Sequence, residues 1–74
     1  MDLAMLKNNF TYHKPWGDQP ARYEKIRSLG LALATEINDS VPDSREKSLA
    51  FTHLENAVMW ANAGIARNEP EDTP

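Results

Sequence analysis

Three neighbouring side chains near the start of the sequence could together hold a flat, hydrogen-bonding ligand. They are Thr11, Tyr12 and His13. The ring of Tyr12 could stack on a nucleobase, because every base offers a π-face, and Thr11 and His13 could supply hydrogen bonds. An equally good interpretation is that Phe10 and Tyr12 are hydrophobic anchors that fix this segment to the rest of the protein. The sequence favours neither reading over the other.

A second candidate site follows Asp43, where a helix is expected to begin. The first turn of a helix presents free N–H groups and a partial positive charge, which together attract anions. Ser44, Arg45, Lys47 and Ser48 add hydroxyl groups and positive charge at this end. These residues could bind a phosphate. The plainer alternative, favoured by the sequence alone, is a capped helix start with solvated charges.

Further cations lie on the two predicted helices. Arg22, Lys25 and Arg27 fall within about a turn and a half of the first helix. Arg binds phosphate as a fork and Lys as a point charge, although an ordinary charged helix face is the favoured reading in isolation. Arg67 falls in the last turn of the second helix, where a cation offsets the helix dipole.

Composition excludes several classes of function. The sequence has no cysteine, no glycine-rich phosphate loop and no paired histidines four residues apart, so we expect no enzyme, metal site or cofactor. A net charge of −3 argues against binding to polymeric nucleic acid. No apolar run reaches about 18 residues and no signal peptide is evident, so we expect a cytoplasmic protein without a membrane partner.

The pattern of apolar residues predicts an all-α fold. We expect an N-terminal arm over residues 1–19, with one short helical turn at Leu3–Leu6, and a helical hairpin over residues 20–68. Its helices should span about 20–38 and 43–67, antiparallel because the link is short. Residues 69–74 are expected to form a disordered tail.

Details of the helices can also be predicted from single residues. Pro20 suits a first helical turn, and either Asp43 or Ser40 is the expected cap of the second helix. Gly30 either permits close approach of another chain or ligand, or is neutral. Ile26, Leu29, Leu33 and Ile37 fall at helical spacing and make one apolar stripe on the first helix, and Leu31 and Ala34 widen it.

The second helix is apolar over most of its circumference. One stripe comprises Phe51, Leu54, Val58, Ala61 and Ile65, and a second comprises Ala50, Ala57, Trp60 and Gly64. One partner helix covers only one stripe, so the other should be buried against further copies of the chain. The alternative is a monomer in which the aromatic arm folds back over the second stripe.

A longer set of residues resembles the helical-hairpin domain of phage cyclic-nucleotide sponges, which counter the CBASS and Thoeris defence systems of bacteria. The set is Phe10–His13, Asp18–Pro20, Arg22-Tyr23, Ile26-Arg27, Ser44–Ala50, Leu54-Glu55, Met59–Ala63 and Ile65–Asn68. The resemblance extends over roughly residues 8–69. The runs Ser44–Ala50 and Met59–Asn68 are the most specific parts of it.

This resemblance implies a homohexamer that captures cyclic dinucleotides between protomers, without cleaving them. Some members also bind cyclic trinucleotides or a cyclic ADP-ribose signal at separate pockets. The family's base-stacking tyrosine matches Tyr12, and its phosphate-binding residue on the first helix matches Arg27 or Lys25. The separate pocket would use the Ser44–Ser48 helix start together with Arg67. A competing hypothesis is a helical-hairpin module that binds another protein through its apolar face.

Overall fold

The computed structural model describes residues 2–70, which form three α-helices and no β-strand within that range. They are α1 (Leu3–Asn9), α2 (Gln19–Ser40) and α3 (Arg45–Asn68). The predicted all-helical class is therefore confirmed, and the two long helices lie within about two residues of their predicted bounds. No helix in this part of the chain is long and apolar enough to cross a membrane.

The helix ends follow local side-chain chemistry. Pro20 occupies the first turn of α2, as predicted. The cap of α3 is Ser44, which accepts a hydrogen bond from the Lys47 backbone N–H at 3.1 Å, so the predicted caps Asp43 and Ser40 are wrong. α1 runs to Asn9, longer than the single turn expected, and the Asp2 carboxylate caps its start by accepting from the Ala4 backbone N–H at 2.9 Å.

Close contact between α2 and α3 is made at a glycine. A β-carbon added to Gly30 would lie 2.8 Å from the Cγ2 atom of Val58, so only glycine permits this approach. Of the two alternatives for Gly30, close approach is therefore observed, and the partner is α3 of the same chain. The predicted apolar stripe of α2 was partly wrong, because Leu29 and Leu33 are exposed and Gly30 makes the contact with α3, whereas Ala34, which was expected to widen the stripe, does border α3.

The hairpin is a single layer of helices. The chain measures 51 × 31 × 13 Å, and its smallest dimension is close to the diameter of one helix with its side chains. No hydrophobic residue among those described is buried. Met59 and Trp60 remain 65% and 66% exposed, so the arm does not cover the second stripe of α3. The structure thus leaves that stripe open, contrary to the folded-back monomer.

Glu69 forms the C-cap of α3. Its backbone N–H bonds to the Ile65 carbonyl at 3.2 Å, and its side chain contacts α2. This residue was predicted to begin a disordered tail, whereas the structure gives it defined partners. Residues 71–74, the rest of that predicted tail, lie outside the range that the structure describes.

Candidate functional site

At the end of the hairpin opposite the α2–α3 link, an ion pair joins the start of α2 to the end of α3. Both oxygens of the Glu69 carboxylate accept hydrogen bonds from the Arg22 guanidinium, each at 2.6 Å. Arg22 also lies 3.0 Å from the carboxylate of Asp18. Hydrogen bonds from Arg22, and then from Gln19, lower the pKa of Glu69 to about 2, while the bond to Glu69 raises the pKa of Arg22 above its usual value. The pair therefore stays fully charged near neutral pH.

Gln19 lies beside this ion pair and is only 2% exposed. Its side-chain amide donates to Glu69 Oε1 at 3.0 Å, and its Oε1 atom accepts from the Trp16 backbone N–H at 3.2 Å. The Gln19 backbone N–H in turn bonds to the Trp16 carbonyl at 3.1 Å. Between them, Gly17 has a φ of 58°, a left-handed conformation that turns the chain into α2.

The arm is also fixed further upstream. The Asn8 side chain donates to the Arg67 carbonyl at 2.9 Å, near the end of α3. The His13 ring lies 2.8 Å from the Asn8 carbonyl, and the Thr11 hydroxyl donates to the Lys7 carbonyl. Thr11 and His13 therefore use one polar group each to shape the arm, and both were predicted to contact ligand.

A cleft of about 250 Å³ separates the arm from the end of the hairpin. The arm contributes four of its lining residues and the hairpin contributes the other three: Tyr12, His13, Lys14, Trp16, Gln19, Ala66 and Glu69. Tyr12 is 82% exposed, so its ring is available to a ligand. The rings of Tyr12 and Trp16 and the ammonium of Lys14 therefore meet at one opening, as a base and a phosphate would require, beside a Glu69 carboxylate whose charge is paired with Arg22.

The predicted helix-one cations lie elsewhere. Arg27 borders a groove of about 380 Å³ between α2 and α3, lined mainly by apolar side chains such as Leu31, Val58 and Met59. Its guanidinium is 3.7 Å from the Glu24 carboxylate. Lys25 is exposed and does not border either opening. Within one chain, therefore, neither cation shares the cleft with Tyr12.

At the opposite end of the hairpin, the start of α3 has some polar side chains engaged within the fold and others exposed. Ser44 is occupied as the cap of α3, and its hydroxyl also donates to the Pro42 carbonyl at 2.9 Å. Lys47 is buried, and its ammonium donates to the Asn38 carbonyl and the Asp43 carboxylate, each at 3.0 Å. Arg45 and Ser48 are exposed. Lys47 thus joins the two helices at the hairpin tip.

Arg67 lies over the ring of Trp60, 5.7 Å from its centroid. The distance suits a cation–π interaction, which holds the exposed indole against α3. Trp60 was expected to contribute to assembly and Arg67 to bind ligand, and the structure shows that the two side chains touch. Two buried polar atoms in the described range lack a hydrogen-bond partner: Asn62 Oδ1 and Arg22 Nε.

Sequence reasoning missed Gln19, Glu69, Trp16 and Lys14 as cleft residues. The signal in the sequence was the irregular aromatic segment, because such a segment is ordered only if its residues contact another part of the chain. Gln19 bonds to Glu69, which lies 50 residues further along the chain, and nothing in the sequence pattern marks this pair.

The fold and the cleft together define a small helical-hairpin domain with an aromatic arm across its open end. The chain matches the family model described as Acb2/Tad1, hairpin domain, over residues 3–66, and it belongs to that family. This is the family of anti-CBASS and anti-Thoeris sponges, which sequester cyclic nucleotide signals. The searches of curated proteins and of solved structures each found no match.

Proposed function

We propose that this protein binds cyclic oligonucleotide second messengers and holds them without cleaving them. Its ligands are cyclic dinucleotides and, at separate pockets, cyclic trinucleotides or cyclic ADP-ribose signals. Acting in the cytoplasm of the infected bacterium, it lowers the free concentration of the messenger and so silences CBASS or Thoeris immunity. Membership of the sponge family supports this class of function.

The observation that carries the proposal is the exposed Tyr12 ring at the mouth of a polar cleft. A large aromatic side chain that is 82% exposed gains nothing from the fold of its own chain. Stacking on a nucleobase would contribute about 1–3 kcal/mol per base. Lys14, on the same arm, places positive charge at the same opening for a phosphate.

We further propose that the protein acts as a homo-oligomer, with a hexamer as the expected form. The support is the single-layer shape, 13 Å thick, together with the absence of a buried hydrophobic residue in residues 2–70. A chain of this size usually needs a further source of stability, and the sequence contains no cysteine for a disulfide. Apolar surface on Leu31, Met59 and Trp60 is available to other copies.

Assembly would also complete the ligand site. Arg27 and Tyr12 lie at different openings of one chain. A single ligand whose base stacks on Tyr12 and whose phosphate binds Arg27 therefore needs Arg27 from a neighbouring copy. A cyclic dinucleotide has two bases and two phosphates, and a two-fold interface would supply two tyrosines and two arginines. Lys25, exposed on the same helix, is the alternative cation.

A separate pocket is proposed at the tip of the hairpin. Arg45 and Ser48 are exposed there, beside the free N–H groups of the first turn of α3. Ser44 and Lys47 would contribute through groups that also serve the fold. Arg67, held over Trp60 at the other end of α3, would reach this pocket only from another copy.

One experiment tests the proposal as a whole. The purified protein is mixed in turn with cyclic dinucleotides, cyclic trinucleotides and cyclic ADP-ribose isomers, separated from free ligand, and then denatured by heat. Mass spectrometry of the released material should find the bound nucleotide intact. Recovery of a cleaved product would show turnover and contradict the sponge mechanism.

A second candidate function is a helical-hairpin module that binds another protein through the exposed apolar face of α3. The exposure of Met59 and Trp60 favours it as much as it favours self-assembly. Sedimentation distinguishes the two, because a module of this kind would be a stable single chain with no affinity for cyclic nucleotides.

A further inference from the structure

The side chain of Gln19 joins the two walls of the cleft. The arm forms one wall and the ends of α2 and α3 form the other. The Gln19 amide reaches Glu69 on α3 at 3.0 Å, while its carbonyl oxygen holds the Trp16 backbone N–H of the arm at 3.2 Å. Both polar groups of one buried side chain are therefore used to connect the walls.

The segment around Tyr12 is attached to the hairpin at two points, through Asn8 of α1 and through Trp16, while Thr11 and His13 bond only to α1. On the N-terminal side, Asn8 is bonded to the Arg67 carbonyl at 2.9 Å. On the C-terminal side, Trp16 is bonded to Gln19, which is bonded in turn to Glu69. Both attachments end at the C-terminal end of α3, so the segment around Tyr12 lies between two fixed points.

Glu69 is itself held rigidly. Its two carboxylate oxygens accept from Arg22 at 2.6 Å each, and charge-assisted bonds of this fork geometry are directional as well as strong. Gln19, at 2% exposure, has almost no contact with water, so loss of its amide would leave the Trp16 N–H without its partner. The attachment is therefore costly to break by rotation of the side chain alone.

We infer that Gln19 is a positioning residue for ligand binding: it sets the distance between the arm and the hairpin and so places the Tyr12 ring at the cleft. Glu69 and Arg22 act with it by fixing the end to which it is bonded. The inference rests on the proposed role of Tyr12 in ligand binding, but the placement of the arm is measurable without any ligand.

Two variants of the full chain break the attachment differently. Gln19→Leu removes both hydrogen bonds and fills much of the same space with an apolar side chain. Glu69→Gln keeps the size of the acceptor but removes its charge, and it serves if Gln19→Leu does not fold. Asp43→Asn is the matched control, because it removes a carboxylate paired with Lys47 at the opposite end of the hairpin.

The first measurement is quenching of Trp16 fluorescence by acrylamide, in a Trp60→Phe background so that one indole reports. Gln19→Leu and Glu69→Gln should each raise the quenching constant about twofold or more, since the arm loses its attachment, and Asp43→Asn should leave it unchanged. Unaltered quenching in both variants would overturn the inference, whether or not the protein binds nucleotides.

The second measurement is a double-mutant cycle on affinity for a cyclic dinucleotide, by calorimetry. Gln19→Leu should weaken binding about tenfold, because the Tyr12 ring is no longer held at the cleft and part of its stacking contribution of about 1–3 kcal/mol is lost. In a Tyr12→Ala background the same change should have less than about a twofold effect, because Gln19 acts through Tyr12. Equal losses in both backgrounds would show a general effect on stability and overturn the inference.

A rescue variant completes the design. Gln19→Glu combined with Glu69→Gln exchanges the amide and the carboxylate, so that a donor and an acceptor still face each other. The combined variant should recover the Trp16 quenching of the wild type, and most of its affinity, relative to Gln19→Leu. If wild type itself binds no cyclic nucleotide, the proposed function fails, while the quenching result still decides whether Gln19 places the arm.

Discussion

Gly30 and Val58 meet at the closest approach of the two long helices, where an added β-carbon would lie 2.8 Å from Val58 Cγ2. Valine has a stiff, branched side chain and cannot easily move aside. The glycine is therefore required by its neighbour on α3, although it weakens the helix by about 1 kcal/mol relative to alanine.

Gly30→Ala should destabilise the hairpin. Overpacking costs about 1–3 kcal/mol and the gain in helix propensity offsets about 1 kcal/mol of that, so we expect a net loss of about 1 kcal/mol in urea unfolding. Gly64→Ala is the matched control. Apart from α3's own backbone, no atom of residues 2–70 lies within 4 Å of a β-carbon at Gly64, so this variant should gain stability. A stabilised Gly30→Ala protein would contradict the observed contact.

Acid should weaken the closure of the hairpin end. The pKa of Glu69 is about 2 in the folded chain, against an ordinary 4.5, so its stabilising contribution is complete above about pH 4.5 and is lost as pH falls towards 2. Arg22 has a raised pKa and remains charged throughout that window. Urea unfolding at pH 5 and at pH 3 should therefore show a smaller difference for Glu69→Gln than for wild type or Asp43→Asn.

Tyr12→Ala should weaken binding of cyclic dinucleotides by about 1–3 kcal/mol, the contribution of one stacked base, with assembly unchanged. Phe10→Ala is the control, because Phe10 is an equally exposed aromatic of the same arm that does not line the cleft. Calorimetry and sedimentation measure the two effects. If the two variants bind alike, Tyr12 is not in the site.

Trp60→Asp should dissociate the proposed oligomer. Burial of a large side chain between copies contributes roughly 1.5–3 kcal/mol, and a carboxylate at that position would have to be desolvated instead. Trp60→Phe keeps the apolar contact and should assemble normally. Light scattering that gives the same mass for Trp60→Asp and wild type would remove Trp60 from the interface.

Lys47→Met should loosen the tip of the hairpin. The change keeps most of the apolar stem but removes the donor to the Asn38 carbonyl and to Asp43. Since Lys47 is buried, we expect a loss of about 1–3 kcal/mol in unfolding free energy. Arg45→Met, which replaces an exposed cation two residues away, should have little effect, and equal losses in both would argue against the tip contact.

The helices could be predicted from sequence, but their rotation could not. Apolar residues at helical spacing placed α2 and α3, and Pro20 marked the first turn of α2. The same spacing included Ala34 but could not show that Gly30, rather than Leu29 or Leu33, meets α3. Small residues give a weak hydrophobic signal, yet they allow the closest approach of two backbones.

The candidate site was predictable only in part, for a related reason. Tyr12 was singled out by its type and by its irregular surroundings, and the structure places it at a cleft. The residues that hold the arm are polar and unremarkable in sequence, and the Arg22–Glu69 contact joins positions 47 residues apart. Whether Arg27 meets Tyr12 depends on a neighbouring copy, which one chain does not contain.

A layer only one helix thick has a consequence for how such a protein can change over generations. No hydrophobic side chain in residues 2–70 is buried by its own chain, so shortening one leaves no sealed void. The penalty then reduces to the transfer of surface, about 25 cal/mol for each Å², without the added cost of a cavity. Substitutions of exposed apolar side chains can therefore change the surface that a chain offers to other molecules, while the arrangement of its helices stays the same.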